Sequence, residues 1–181
     1  MTAANIAPSD AARQDATDMK AIAHFLKRNA LTLSTAESCT AGLIASRIAE
    51  VPGCGAVLRL AIVTYSPDTK TGVLHVPQET IDRHGLTSEP VSLAMARGMA
   101  DYTDASLVIA NTGVADDGAD DGTPPGTQCF AWWFRQGGAV PYDIEFSEKR
   151  RFGGDRNAIR IAAASYALSR VQHYHALAVR R

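Results

Sequence analysis

Apolar residues recur along this chain in two rhythms, and the rhythms alternate. Met19, Ile22, Ala23 and Leu26 follow the i, i+3, i+4, i+7 spacing of one buried helical stripe, and Ser9 stands ready as a cap before Asp10. A short apolar run from Leu31 to Thr35 reads as a strand. Helical spacing returns over Thr40 to Glu50 through Leu43, Ile44 and Ile48, until Pro52-Gly53 stops it. Ala56 to Tyr65 (AVLRLAIVTY) is the longest β-like run, dense enough in apolar residues to predict a central strand. Pro67 ends it and opens a short helix toward Leu74. A further helix starts at Ser88 or Glu89-Pro90, with Val91, Ala94, Met95 and Met99 on one side. Leu107 to Ala110, Thr127 to Phe134 and Val140 to Phe146 read as strands, the last two joined as a hairpin through Gln136-Gly137-Gly138. A final helix runs from Asp155 past Val171, with Ile159, Ala162, Ala163 and Tyr166 on its inner face.

Helices thus alternate with strands until a late hairpin breaks the alternation. That pattern predicts an α/β fold, a three-layer α/β/α sandwich around a mixed, mainly parallel sheet with an antiparallel edge. No stretch rich in Pro, Gly or Ser divides the chain. The expected organisation is a flexible lead-in over 1–14, one domain over 15–175 and a tail over 176–181. The segment from Ala115 to Thr127 (ADDGADDGTPPGT) is a loop.

Composition narrows the function classes. The 181 residues carry 18 Lys plus Arg against 19 Asp plus Glu, a formal net charge of −1. Neither a nucleic acid nor an anionic membrane finds a basic footprint here. Three scattered cysteines, Cys39, Cys54 and Cys129, suit a reducing compartment better than a disulfide framework. Acidic and basic residues interrupt residues 1–20, so no secretory signal is read there, and a cytoplasmic location is expected. A homodimer or higher homo-oligomer is the default expectation.

In an open α/β sheet, ligands bind beyond the carboxyl ends of the strands. Four segments converge on that edge. In Thr35-Ala36-Glu37-Ser38-Cys39-Thr40-Ala41-Gly42, Ser38 lies near a helix N-terminus, where backbone N–H groups favour developing negative charge. It reads either as a nucleophile or as an ordinary N-cap. In Val63-Thr64-Tyr65-Ser66-Pro67-Asp68-Thr69-Lys70, a lysine of lowered pKa can replace histidine as the base of such a serine, with Tyr65 relaying or orienting the proton. The plain alternatives are a core tyrosine and a solvated lysine. Asn111-Thr112-Gly113 ends a strand and offers either a hydroxyl with close backbone approach or a simple turn. In Phe152-Gly153-Gly154-Asp155-Arg156, an arginine in the first helical turn opposes the helix dipole, which suggests an anion ligand. Its alternative is a surface ion pair to Asp155 or Glu148.

Other groups point less clearly to chemistry. Asp116, Asp117, Asp120 and Asp121 lack the spacing of a calcium loop, and His173 and His175 face different sides of a helix. No metal and no cofactor is expected. Cys39 is a rival nucleophile or a packing residue.

TAESCTAGLIASRI, VTYSPDTK, HGLTSEP, NTGV, Gly126-Thr127 and GGDRNAIRIAAASYAL, in this order, resemble the CinA carboxy-terminal domain family over roughly residues 15–172. The resemblance implies a nicotinamide-nucleotide amidohydrolase. In it Ser38 is the nucleophile, Tyr65 and Lys70 assist, and Thr112 and Arg156 bind the nucleotide phosphate. Glu37, Thr40, Gly42 and Gly113 complete the implied substrate-binding set. The implied reaction attacks the carboxamide of nicotinamide mononucleotide, releases ammonia and hydrolyses the acyl-enzyme to nicotinate mononucleotide. The partner is thus a small-molecule nucleotide substrate. The separate amino-terminal domain of longer members, and any pyrophosphatase activity tied to it, is expected to be absent.

The sequence departs from the family at informative places. Two glycines usual after AESCT are Ala41-Gly42, and an Asn usual after TYS is Pro67. The family's glycine-rich TGIAGP loop, which runs on to KPVGT, reads Thr112-Gly113-Val114-Ala115-Asp116-Asp117 and closes on Pro124-Pro125-Gly126-Thr127. Glycines and a lysine are lost there and aspartates appear, which would repel a phosphate if they face the pocket. The alternatives are a catalytically weak or inactive relative acting as a ligand-binding or assembly module, or an amidase with a changed substrate.

Overall fold

A computed structural model describes residues 10–116, 122–135 and 143–180. Five strands form one sheet in the order β2-β1-β3-β4-β5. They are β1 (Leu33–Glu37), β2 (Leu58–Val63), β3 (Leu107–Gly113), β4 (Thr127–Phe134) and β5 (Ile144–Arg151). β1 pairs in parallel with β2 and β3, and β4 is antiparallel to both β3 and β5. One strand, β4, therefore runs against the other four, and the carboxyl ends of β1, β2 and β3 share one edge.

The α-helices are α1 (Asp10–Arg28), α2 (Leu43–Ala49), α3 (Pro67–Gly72), α4 (Gln78–His84), α5 (Glu89–Ala100), α6 (Arg156–Ser169) and α7 (Val171–Ala178). Strand alternation splits the core in two. Leu33, Leu107, Ile109, Phe130 and Trp132 pack with α1, α2, α6 and α7 on one face. Ala36, Val108, Ala110, Ala131 and Trp133 face the other way, against Met95 and Met99 of α5 and Ile81 of α4. The three-layer sandwich is thus the observed architecture. β3 and β4 are the buried centre, and Trp132 on β4 donates its indole N–H to the Ala167 carbonyl at 2.9 Å.

Two expectations change. The apolar run at 56–65 is not a central strand: β2 forms the sheet's edge, its residues alternating between half-buried and exposed, with Val63 47% exposed. Its apolar density belongs to a strand whose second face is only partly covered. The last helix is also two helices, broken at Arg170. Its buried face is Ile159, Ala163, Ala164, Ala167 and Leu168, while Ala162 and Tyr166 sit at the margin. α7 carries the core on through Ala178, which is 3% exposed. β5 is shifted toward the C-terminus relative to its expected span, and α4 was not anticipated. The residues 1–9, the hairpin turn at 136–138 and Asp117, Asp120 and Asp121 lie outside the described residues.

Candidate active site

β1 ends at Glu37 and Ser38 follows it, the alternation of the strand sending the two neighbours to opposite faces of the sheet. Glu37 has no exposed surface. Its Oε1 accepts from Thr35 Oγ1 at 2.9 Å and Ala45 N at 3.0 Å, and its Oε2 from Thr40 Oγ1 at 2.7 Å and Ile44 N at 3.1 Å. The carboxylate therefore satisfies the orphan N–H groups of the α2 N-terminus, where negative charge is favoured. Glu37 and Thr40, both fully buried, thus shape the turn in this structure.

The turn itself needs two left-handed residues, Ala41 at φ 50° and Gly42 at φ 90°. Gly42 adopts this conformation freely, whereas Ala41 carries a Cβ into it. The glycine usual at one of these positions thus has a geometric reason, and this chain departs from it at a strained site.

On the other face, the α3 residue Lys70 is 2% exposed. Its Nζ donates to Ser38 Oγ at 2.9 Å, to the Thr64 carbonyl at 2.8 Å and, more weakly, to the Tyr65 carbonyl at 3.4 Å. Burial pushes the ammonium down to about 8, a shift that the Cys39 thiol only partly opposes. The plain alternatives, a core tyrosine and a solvated lysine, are thus both reversed. Tyr65 is 56% exposed, and its hydroxyl accepts from Arg156 Nη2 at 2.5 Å instead of meeting Ser38 or Lys70. Arg156 Nη1 is paired with Asp116 Oδ2, so its carboxylate partner is neither Asp155 nor Glu148. Asp155 caps α6 through the Ala158 N–H at 2.8 Å. Glu148 is engaged by Arg150, Arg170, Tyr166 and Tyr174.

Thr112 is 2% exposed and donates to the Leu86 carbonyl at 2.9 Å, which ties β3 to the loop before α5. Gly113 leaves room for Gln128, because a Cβ there would fall 2.3 Å from Gln128 Oε1. Three further residues fix the Ser38 turn. Asn111 Oδ1 accepts from Thr40 N at 3.1 Å, while its amide donates to Gln128 Oε1 at 3.0 Å. Gln128 Nε2 in turn reaches Cys39 Sγ at 3.2 Å. Arg160 donates from Nε to the Cys39 carbonyl at 3.0 Å and from Nη2 to the Thr40 carbonyl at 3.2 Å. The signal for Arg160 was its place one helical turn beyond Arg156 on α6. Asn111 adjoins Thr112 in the motif, but nothing in the sequence distinguishes Gln128.

The Cys39 thiol is raised, first by burial, with Gln128, Arg156 and Arg160 opposing that rise and Asp116 adding to it. Cys39 is therefore a buried packing residue beside Ser38. The N–H groups of Cys39 and Gly42 have no hydrogen-bond partner among the described residues. No group of three or more His, Cys, Asp or Glu suited to a metal occurs among them either, nor any helix long and apolar enough to cross a membrane.

The site is a buried Ser–Lys pair at the carboxyl edge of the sheet in a three-layer α/β domain. The chain belongs to the CinA C-terminal domain family, whose model matches residues 15–175. It is 35% identical over 148 residues to the nicotinamide-nucleotide amidohydrolase PncC of Escherichia coli K12, covering 81% of this chain and 86% of that one. It is 39% identical over 158 residues to a CinA-like protein of Geobacter sulfurreducens, covering 87% of this chain but spanning only 37% of that longer relative. A solved CinA-superfamily structure from Klebsiella pneumoniae superposes with a TM-score of 0.83 at 31% identity, covering 90% of this chain and 98% of the other.

Proposed function

We propose that this protein is an amidohydrolase that removes ammonia from the carboxamide of nicotinamide mononucleotide, leaving nicotinate mononucleotide. The observation that carries the reading is the 2.9 Å contact between buried Lys70 Nζ and Ser38 Oγ. A lysine held near 8 is neutral in roughly a tenth of molecules at pH 7 and can then take the Ser38 proton. Ser38 Oγ attacks the carboxamide carbon, and the Cys39 and Gly42 N–H groups, without a partner among the described residues, are the backbone donors left for the resulting oxyanion. Protonated Lys70 returns its proton to the departing nitrogen, and ammonia leaves. A water, deprotonated by the same lysine, then attacks the acyl carbon; the C–Oγ bond breaks, and Lys70 passes that proton to Ser38 Oγ. Tyr65 and Arg156, exposed and bonded to each other, are assigned to the part of the substrate away from the bond that breaks. Similarity to the E. coli amidohydrolase supports the same reading.

The test is ammonia release from nicotinamide mononucleotide by the purified protein beside Ser38→Ala and Lys70→Ala. Turnover lost in both variants is expected. Turnover no greater than the Ser38→Ala background in the wild type would sink the reading. A second reading, a domain of this family that binds a ligand without turning it over, draws on the occupation of Arg156 by Asp116. It would be favoured by that same null result together with retained binding of the nucleotide.

A further inference from the structure

The Arg156 guanidinium is engaged at both ends, by Tyr65 OH on Nη2 and by Asp116 Oδ2 at 2.5 Å on Nη1. The aspartate reaches it from a built backbone. Ala115 is 5% exposed and packs with Cys39, next to the nucleophile, and with Ile159 of α6. Val114 N–H donates to the Thr127 carbonyl at 2.9 Å, and its own carbonyl accepts from Gly126 N at 2.9 Å. The peptide before Asp116 is thus anchored to β4 and to the Ser38 turn, which aims the carboxylate at the arginine. Arg156 and Asp116 also act with opposite sign on the Cys39 thiol, which puts both charges within the field of that turn.

An exposed arginine whose charge reaches the turn carrying Ser38 is a natural anchor for an anionic substrate tail. Here a carboxylate of the chain already holds it. We propose that Asp116 is a specificity-determining residue, an intramolecular competitor for Arg156 that an anionic tail must displace, and that it lowers the site's preference for phosphorylated over uncharged carboxamides. The inference rests on the amidohydrolase reading for its substrate and on the ion pair alone for its charge logic. Both side chains are about half exposed, so water screens the pair and displacement remains feasible. At roughly 4 Å in water, repulsion between two unit charges corresponds to about a fivefold change in affinity.

Two measurements test it on the intact protein. In the first, kcat/KM is measured for nicotinamide mononucleotide and for its unphosphorylated riboside. Asp116→Asn should raise the ratio of the two at least about fivefold toward the nucleotide. In the second, inorganic phosphate is titrated calorimetrically into Ser38→Ala. Adding Asp116→Asn should tighten phosphate binding by at least about fivefold, and adding Arg156→Gln as well should abolish that gain. Phosphate affinity unmoved by Asp116→Asn overturns the proposal, whatever the kinetics show. Tightened phosphate binding without Ser38-dependent ammonia release leaves it standing and removes the amidohydrolase reading instead.

Discussion

Asn111 Oδ1 accepts the Thr40 N–H at 3.1 Å, so the end of β3 holds the turn that carries Ser38. The same side chain donates to Gln128 Oε1, and Gln128 reaches Cys39, which closes a ring of bonds beneath the turn. Asn111 has no exposed surface. Asn111→Ala leaves the Thr40 N–H and the Gln128 amide oxygen without their partner in the interior. A loss of about 1–3 kcal/mol in urea unfolding is expected, with a fall in kcat for any Ser38-dependent reaction. Unchanged stability would show that water takes over the ring.

Lys70 links activity and stability to pH. With its folded value at about 8 and its ordinary value 10.5, the folded protein binds fewer protons than the unfolded chain between those limits. Stability from this group therefore rises with pH across that window, and below it the buried ammonium is a full liability. Relative to Lys70→Met, the wild type should gain about 3 kcal/mol between pH 8 and 10.5 in urea titrations. kcat/KM should climb with an apparent pKa near 8 as the amine becomes neutral. A stability difference between the two proteins that ignores pH would place the lysine's charge elsewhere.

Arg160 spans two carbonyls of the turn that carries Ser38, those of Cys39 and Thr40. Arg160→Ala should lower kcat by roughly tenfold through misplacement of Ser38, and cost about 1–2 kcal/mol in stability. Arg160→Lys supplies a point donor that cannot bridge both oxygens, so it should restore stability better than kcat. Equal recovery of both would mark the arginine as structural alone.

Ala41 holds φ 50° with a Cβ in place. Ala41→Gly should raise unfolding stability by about 0.5–1 kcal/mol, the relief of left-handed strain exceeding the added freedom of the unfolded chain. A destabilised variant in thermal and urea unfolding would show that packing of the Ala41 methyl outweighs its strain.

The periodic elements were legible because burial imposes a period, as in Val91, Met95 and Met99 of α5 or the wholly buried Thr127–Phe134 strand. α4 was not legible, since Ile81 is its one buried residue and a seven-residue helix with a single anchor has no period to read. β2 misled for the complementary reason: apolar content reports contact with something, not position within a sheet. The meeting of Ser38 and Lys70, 32 residues apart, was anticipated from segments expected at one sheet edge and from the resemblance. Gln128 and Arg160 escaped because a buried amide and a half-buried guanidinium look like surface residues in one dimension. Their partners are mostly main-chain or sulfur atoms, which no side-chain pattern encodes.

Glu37 and Ser38 leave the same strand end in opposite directions, one fastened to α2 and the other to Lys70 of α3. A single dipeptide is therefore the rivet between the two helical layers. At this junction the bonds that join the two layers are also the ones that aim the Ser38 hydroxyl.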